Sequence, residues 1–312
     1  MKTNSAKRLL ALALAAATAP TPLGAQARPQ APVFGTGIEI INLSLSVTDA
    51  QSNFVTSLGQ TDFAVFEDGI RQQLSLFTHE NLPISLVLMI DTSASMEEKL
   101  GTAQTAAIRF TKTLRPQDVA QVVQFNDRAT TLQPFTNDLA ALEAAINKTE
   151  ASGPTALHNA LYIALKDLMR DKKAAELRRR AIVLLSDGED TASLVTDEQV
   201  LELAKKSEIN IYAISLRPQR AQDRERQAFS QAEYLVNALT RETGGRAYFP
   251  SSIGELDSVY DRIAEELRTL YSIGYVSSNA RRDGKWRRIV VRVPDREGIT
   301  VRHKLGYYAP RG

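Results

Sequence analysis

Three oxygen-bearing side chains, Asp91, Ser93 and Ser95, alternate directly after an unbroken apolar run at residues 84–90. A run of this kind, rich in branched residues, is typical of a strand buried on both faces of a parallel sheet. A helical pattern follows at about residues 97–114. The polar residues therefore occupy a strand-to-helix turn at the carboxyl end of a strand, where open α/β sheets bind ligands. Carboxylate and hydroxyl oxygens favour Mg²⁺, Mn²⁺ or Ca²⁺ over zinc.

Two further stretches of the chain supply matching residues. Thr155 precedes another helical pattern, and Asp187 follows a second buried-strand run at residues 180–185. Because loops at one face of a sheet can be gathered together, we expect Asp91, Thr155 and Asp187 to lie close to one another. The alternative for the serine-rich turn is helix N-capping, which requires no metal.

The set of five residues resembles the metal-ion-dependent adhesion site of von Willebrand factor type A domains; its members are Asp91, Ser93, Ser95, Thr155 and Asp187. The resemblance implies that Ser93 and Ser95 bind a divalent cation directly. Thr155 and Asp187 would bind it directly or through water, and Asp91 through water. Mg²⁺ is the expected cation, with Mn²⁺ or Ca²⁺ as alternatives. A protein partner would supply an Asp or Glu carboxylate to an open coordination position. The alternative is a site that only stiffens the loops.

Strand and helix patterns alternate over residues 82–270, which predicts an α/β domain with a doubly wound, mostly parallel sheet. Residues 38–81 and 271–312 instead carry short strand patterns separated by turn residues such as Asp68 and Gly69. The first of these stretches cannot bury both of its faces without partners. We therefore predict one small β module formed by both stretches, with the α/β domain inserted between its halves.

A wider resemblance covers nearly the whole chain after its N-terminal segment. Short motifs occur in the order found in the exported bacterial "VWFA-related" family typical of acidobacteria, at residues 65–69, 91–96, 243–247, 271–275 and 306–310. This resemblance supports the fold more than it supports a function, because the family has little assigned biochemistry.

The N-terminus resembles a secretory signal at residues 1–27. Basic residues precede the apolar segment at residues 9–17, and Ala25 and Ala27 resemble a cleavage site. The segment is shorter than the roughly 20 residues that span a bilayer, so we expect cleavage, with a retained anchor as the alternative. Residues 28–37 would form a leader. The mature protein would be periplasmic or secreted, without stable membrane insertion.

Composition excludes several classes of protein. The chain has 312 residues and no cysteine, which rules out disulfides and thiolate metal sites. The formal charge is +2, and removing Lys2, Lys7 and Arg8 leaves −1, so no nucleic-acid partner is indicated. The basic residues at 172–180 are interpreted as a solvated flank, and the charged stretch at 217–228 as a loop or frayed helix.

We predict that the protein is not an enzyme. The sequence has no Gly-x-Ser-x-Gly elbow, no His-Glu-x-x-His motif and no phosphate-binding loop. His79 and His303 fall in β segments, with no reason to approach Ser93. Two alternatives to metal-dependent protein binding stay open: a structural or scaffolding component of an envelope complex, and a metal-dependent hydrolase with Ser93 or Ser95 as nucleophile.

Overall fold

The computed structural model describes residues 40–79, 82–170, 178–187, 190–216 and 231–311. The predicted signal, leader and charged stretch at 217–228 lie outside these residues. The helices are α1 (Leu100–Thr111), α2 (Leu139–Asn147), α3 (Leu157–Arg170), α4 (Asp197–Lys206), α5 (Gln231–Thr243) and α6 (Leu256–Thr269). The strands are β1 (Ile40–Thr48), β2 (Ala64–Glu67), β3 (Ile70–Gln72), β4 (Leu74–Thr78), β5 (Ile84–Asp91), β6 (Val119–Phe125), β7 (Ala129–Thr136), β8 (Arg179–Ser186), β9 (Ile209–Ser215), β10 (Ala247–Tyr248), β11 (Tyr271–Val276), β12 (Trp286–Arg292), β13 (Thr300–Arg302) and β14 (Gly306–Tyr308).

A six-stranded sheet with the order β10-β9-β8-β5-β6-β7 forms the centre of the α/β domain. All its neighbouring strands pair in parallel except β7, which pairs antiparallel with β6 at the edge. Every residue of β5 is buried, as its unbroken apolar run predicts. Leu88 on one face of β5 packs in a cluster with α1, α2 and α6, whereas Met89 on the other packs with α3, α4 and α5. Helices thus cover both faces of the sheet.

Two four-stranded sheets form a second module from strands at both ends of the described chain. Their orders are β13-β1-β11-β4 and β14-β12-β2-β3, and buried residues of both sheets share one apolar cluster. We call these two sheets the β sandwich. The antiparallel pairs β1–β11 and β2–β12 join strands that precede the α/β domain to strands that follow it. The predicted fold class is therefore confirmed. The predicted domain limits at residues 27, 37, 81 and 270 stay predictions.

The turn between β2 and β3 follows directly from its two residues. Asp68 and Gly69 have φ angles of 47° and 85°. Two consecutive positive φ angles define the tight hairpin turn that best matches the twist of paired strands, and Asp-Gly is a preferred sequence for it. This turn sets the pairing of Glu67 with Ile70.

Arg179 corrects one expectation from the sequence. It is 4% exposed, and its guanidinium donates hydrogen bonds to the carbonyl oxygens of Leu267, at 3.0 Å, and of Leu270. Desolvation by burial lowers its pKa to about 10. The interpretation of residues 172–180 as a solvated flank is wrong at this position. The end of α6 leaves carbonyl groups without helical partners, and Arg179 at the start of β8 supplies donors to them.

None of the helices within the described ranges combines the length and the apolar character needed to cross a bilayer.

Candidate metal centre

The site lies at the topological switch point of the sheet, where the strands that follow β5 in the chain are added first on one side of it and then on the other. From β5 the chain passes through α1 to β6 on one side, and β8 lies on the other side of β5. Ile90 pairs with Leu185, so Asp91 and Ser186 end two adjacent parallel strands side by side. The crevice beyond such strand ends is the usual ligand position in an open α/β sheet.

Asp91 is fully buried and held on both oxygens. Its Oδ1 accepts a hydrogen bond from the Ser93 amide at 2.8 Å, and its Oδ2 accepts one from the Ser186 hydroxyl at 2.5 Å. Burial raises the pKa of Asp91; the hydrogen bonds from Ser186 and Ser93 oppose this shift, and the charge of Asp187 adds to it. Two carboxylates thus lie close together in a poorly solvated crevice, which favours a nearby positive charge.

Ser93, Ser95 and Asp187 bring three side-chain oxygens into one array. The Ser93 and Ser95 hydroxyl oxygens are 3.1 Å apart, and the Ser95 hydroxyl donates to Asp187 Oδ1 at 2.8 Å. Ligand oxygens about 2.1 Å from an octahedral Mg²⁺ are separated by about 3.0 Å along an octahedral edge. Both distances fit such an edge, so these residues are compatible with one shared cation.

The loop that carries Thr155 contacts the turn after β5 through the main chain of Ser152 and Gly153. The amide of Ala94 donates to the carbonyl of Gly153 at 2.9 Å, and Gly153 has a φ of +72°, a conformation that glycine adopts without strain. Thr155 is buried, and its amide donates to the Thr191 hydroxyl at 3.1 Å. Within the described residues, no hydrogen bond joins the Thr155 hydroxyl to the other predicted ligands. The five-residue ligand set as a whole stays a prediction.

Lys99 and Ser186 are residues of this site that the sequence analysis missed. The Lys99 ammonium forms an ion pair with Asp187 Oδ2, and the side chains are 27% and 2% exposed respectively. Its place four residues after Ser95, where a helix begins, is the one sequence signal that could have indicated it. Ser186 could have been noticed as the polar residue that ends a buried strand run.

The chemistry of the donor set is dominated by hydroxyls. In the part of the chain that is described, no three Asp, Glu, His or Cys side chains gather in a way that could hold a metal ion. A cation bound at Asp187 would therefore depend on Ser93 and Ser95 for further ligands. Few direct carboxylate ligands leave a divalent cation electrophilic toward an outside oxygen.

Comparison with known proteins agrees with this geometry. A family model of the von Willebrand factor type A domain matches residues 86–189, which include all five predicted ligands. An uncharacterised Synechocystis protein is 34% identical over 113 residues, covering 35% of this chain and 26% of that protein. A UPF0353 protein of Nocardia farcinica is 28% identical over 232 residues, covering 65% and 67% of the two chains. The chain therefore spans only about a quarter of the Synechocystis relative.

Among solved structures, a similar fold occurs in proximal thread matrix protein 1 from the mussel byssus, whose MIDAS motif is occupied by zinc. The TM-score is 0.50 at 15% identity, and the match covers 64% of this chain and 49% of the mussel protein. At this identity the likeness concerns the fold alone. The family match, the mostly parallel sheet and the helices on both of its faces agree, so residues 86–189 carry the features of a von Willebrand factor type A domain.

Proposed function

We propose that this protein is an exported module that binds a protein partner through a divalent cation. Ser93, Ser95 and Asp187 would hold the cation, with Thr155 and Asp91 close by. When bound, the cation would supply a Lewis-acidic position for an Asp or Glu carboxylate of the partner. Mg²⁺ is the proposed cation, with Mn²⁺ or Ca²⁺ as alternatives.

One observation carries the proposal: the hydroxyl and carboxylate oxygens of Ser93, Ser95 and Asp187 are spaced like neighbouring ligands of one octahedral ion. They directly follow the carboxyl ends of β5 and β8, two adjacent buried strands that pair in parallel. The mussel protein with a zinc-occupied MIDAS motif supports a cation in this fold, although it does not choose the metal for this chain. The signal-like N-terminal segment supports export.

Binding is proposed in preference to catalysis. Metal-dependent hydrolysis would need a base that is free to take the proton of a serine hydroxyl. The carboxylate beside Ser95 is that of Asp187, which is paired with Lys99 and is itself a proposed ligand of the cation.

His79 stacks on Tyr271 at a ring distance of 4.3 Å, and His303 accepts from the amide of Val291. The third histidine, His158, contacts Asp190 at 2.8 Å, so each of the three has a partner other than a serine of the site. An esterase or phosphatase activity that Ser93→Ala abolishes would replace this proposal with the hydrolase alternative.

The test measures cation binding and partner binding on the same variants. The protein is stripped with EDTA and titrated with Mg²⁺ in a calorimeter. The immobilised protein is then exposed to envelope extract with and without EDTA. We expect Asp187→Asn to lose the Mg²⁺ signal, together with the proteins that the wild type retains only in Mg²⁺. The matched control is Asp138→Asn, an exposed helix N-cap that asparagine serves equally well.

Two results would contradict the proposal. If the wild-type protein gives no cation signal, the site is not a metal centre. If the retained proteins are insensitive both to EDTA and to Asp187→Asn, the scaffolding alternative is favoured, with the contact surface elsewhere on the molecule.

A further inference from the structure

Lys99 occupies a position that helix chemistry does not explain. It directly precedes α1, and its amide donates to the carbonyl of Met96 at 2.9 Å. The amino end of a helix carries partial positive charge, so acidic residues are favoured there and a lysine is disfavoured. Glu97 and Glu98 directly precede Lys99, but its ammonium pairs with Asp187 of the loop after β8. Its ion pair with Asp187 is the interaction that accounts for its position.

That ion pair engages the same carboxylate that would hold the proposed cation. Asp187 Oδ1 accepts from the Ser95 hydroxyl, and Oδ2 contacts the Lys99 ammonium. The Asp187 side chain is 2% exposed, so little water is available to screen charges beside it. An ammonium in contact with one oxygen and a divalent cation on the other would repel each other strongly.

The charges of the site also indicate that Lys99 and a divalent cation would compete for Asp187. The carboxylates of Asp91 and Asp187 carry two negative charges, and Lys99 compensates one of them. Lysine has a flexible four-carbon stem and a strongly hydrated ammonium, and the Lys99 side chain is 27% exposed. It can therefore leave Asp187 for solvent without unfolding its surroundings.

We infer that Lys99 is a tethered competitor of the divalent cation: its ammonium neutralises Asp187 in the cation-free domain and moves toward solvent when a cation binds. This inference rests on the proposed metal-binding function. Lys99 would thereby set the concentration of free cation at which the site fills. It acts through Asp187 and is a positioning residue, not a ligand.

The test compares Lys99→Met with a matched control on the same helix. Methionine keeps most of the length of the stem and removes the charge. Lys112→Met makes the same change at the other end of α1, where the ammonium pairs with Glu143 at 3.1 Å and both side chains are about half exposed. Near-ultraviolet circular dichroism checks that each variant is folded. Lys99→Gln is a second neutral variant should the methionine protein fail to fold.

Two quantities are measured on the whole protein: the Kd for Mg²⁺ and for Mn²⁺ by calorimetry, and the Tm in EDTA and at saturating Mg²⁺. We expect Lys99→Met to bind Mg²⁺ roughly tenfold more tightly, since a competing charge is removed from the site. In EDTA its Tm should fall below that of the wild type, because Asp187 loses its counter-ion, and saturating Mg²⁺ should close the gap. Lys112→Met should leave both Kd values unchanged, and any change in its Tm should be the same in EDTA and in Mg²⁺.

The outcomes separate this inference from the function on which it rests. If the wild type binds Mg²⁺ and the neutral variants bind it equally or more weakly, Lys99 only supports the loop and the competitor role is overturned. If neither the wild type nor the neutral variants bind a divalent cation, the proposed function and this inference both fail.

Discussion

In the β sandwich, the carboxylate of Glu67 is surrounded by four side chains of the protein, whereas the described side-chain contacts of Asp187 in the α/β domain are one hydroxyl and one lysine. Tyr275 and Tyr307 donate to Glu67 Oε2 at 2.9 and 3.0 Å. Ser277 donates to Oε1 at 2.6 Å, and Arg287 lies 3.3 Å from the same oxygen. Tyr275 and Tyr307 belong to the apolar core of the sandwich, and the Arg287 side chain is buried beside them.

The carboxylates of Glu67 and Asp187 are equally shielded from solvent, since each side chain is 2% exposed. The difference lies in how readily their partners can move. A tyrosine ring or a buried guanidinium cannot turn away without opening the core, whereas a serine hydroxyl rotates about one bond and a lysine swings on its stem. We conclude that the partners of a buried carboxylate, more than its burial, distinguish a structural charge from one that can exchange ligands.

The largest effect is expected from Glu67→Gln. The Arg287 side chain, 4% exposed, would lose its counter-ion, and breaking a buried pair in this way costs about 3–5 kcal/mol in the free energy of unfolding. Urea denaturation measures this loss in the free energy of unfolding. The difference between Glu67→Gln and the wild type should be the same with and without Mg²⁺. Glu202→Gln is the control, because that carboxylate accepts from Tyr308 at the surface and its side chain is 45% exposed. A loss at Glu67 no larger than at Glu202 would remove the contrast between the two regions.

Arg179→Met tests whether the α/β domain holds structural charges of the same kind. The carbonyls of Leu267 and Leu270 would lose a buried donor, for which we expect a loss of about 1–3 kcal/mol in the free energy of unfolding. Arg178→Met is the matched control, since its guanidinium donates to the Gln117 carbonyl in an exposed position. If the two variants were equally stable, the burial of the Arg179 hydrogen bonds at the end of α6 would make no contribution to the free energy of unfolding. The Mg²⁺ affinity should not change in either variant.

Acid should weaken the β sandwich by a smaller amount. His303 accepts from the Val291 amide through Nε2 at 3.1 Å, so its neutral form is required, and desolvation by burial lowers its pKa. Below the ordinary pKa of about 6.5, the unfolded chain binds a proton that the folded chain excludes, so stability falls as the pH decreases. We expect a loss of about 1 kcal/mol between pH 7 and 5.5, measured by urea denaturation.

His303→Gln separates this histidine from the other titrating groups. The variant should be less stable at pH 7 but should lose less stability on acidification than the wild type. An identical pH dependence in the two proteins would assign the acid sensitivity elsewhere, with His79 as the next candidate, because burial lowers the pKa of that residue as well.

Much of the fold could be predicted because the sequence carries strong local signals. The apolar run at residues 84–90 predicted a strand buried on both faces, and β5 is buried throughout. Asp68 and Gly69, predicted as turn residues between short strands, form the turn between β2 and β3. The meeting of Ser93, Ser95 and Asp187 follows from strand ends that lie at one edge of a sheet, so their proximity could be inferred without coordinates.

The contacts of long charged side chains could not be predicted in the same way. Lys99 and Arg179 have long side chains with several rotatable bonds. The charged residues around each of them indicate a solvent-exposed segment. Lys99 pairs with Asp187, 88 residues later in the chain, and Arg179 donates to Leu267 and Leu270, which lie 88 and 91 residues later. Periodicity describes the face of an element on which a residue lies, but not the distant group that the end of a flexible side chain reaches.

The junction between α6 and β11 has a mechanical consequence. A single residue, Leu270, separates the end of the helix from a strand that is paired on both edges, with β1 and with β4. A force on the sandwich is therefore transmitted directly to α6, because no flexible linker separates the helix from β11. Conversely, α6 cannot slide along its axis by even one turn, about 5.4 Å, unless β11 slips past its neighbours. We therefore expect rearrangements of the loops that carry the proposed cation ligands to leave the position of α6 unchanged.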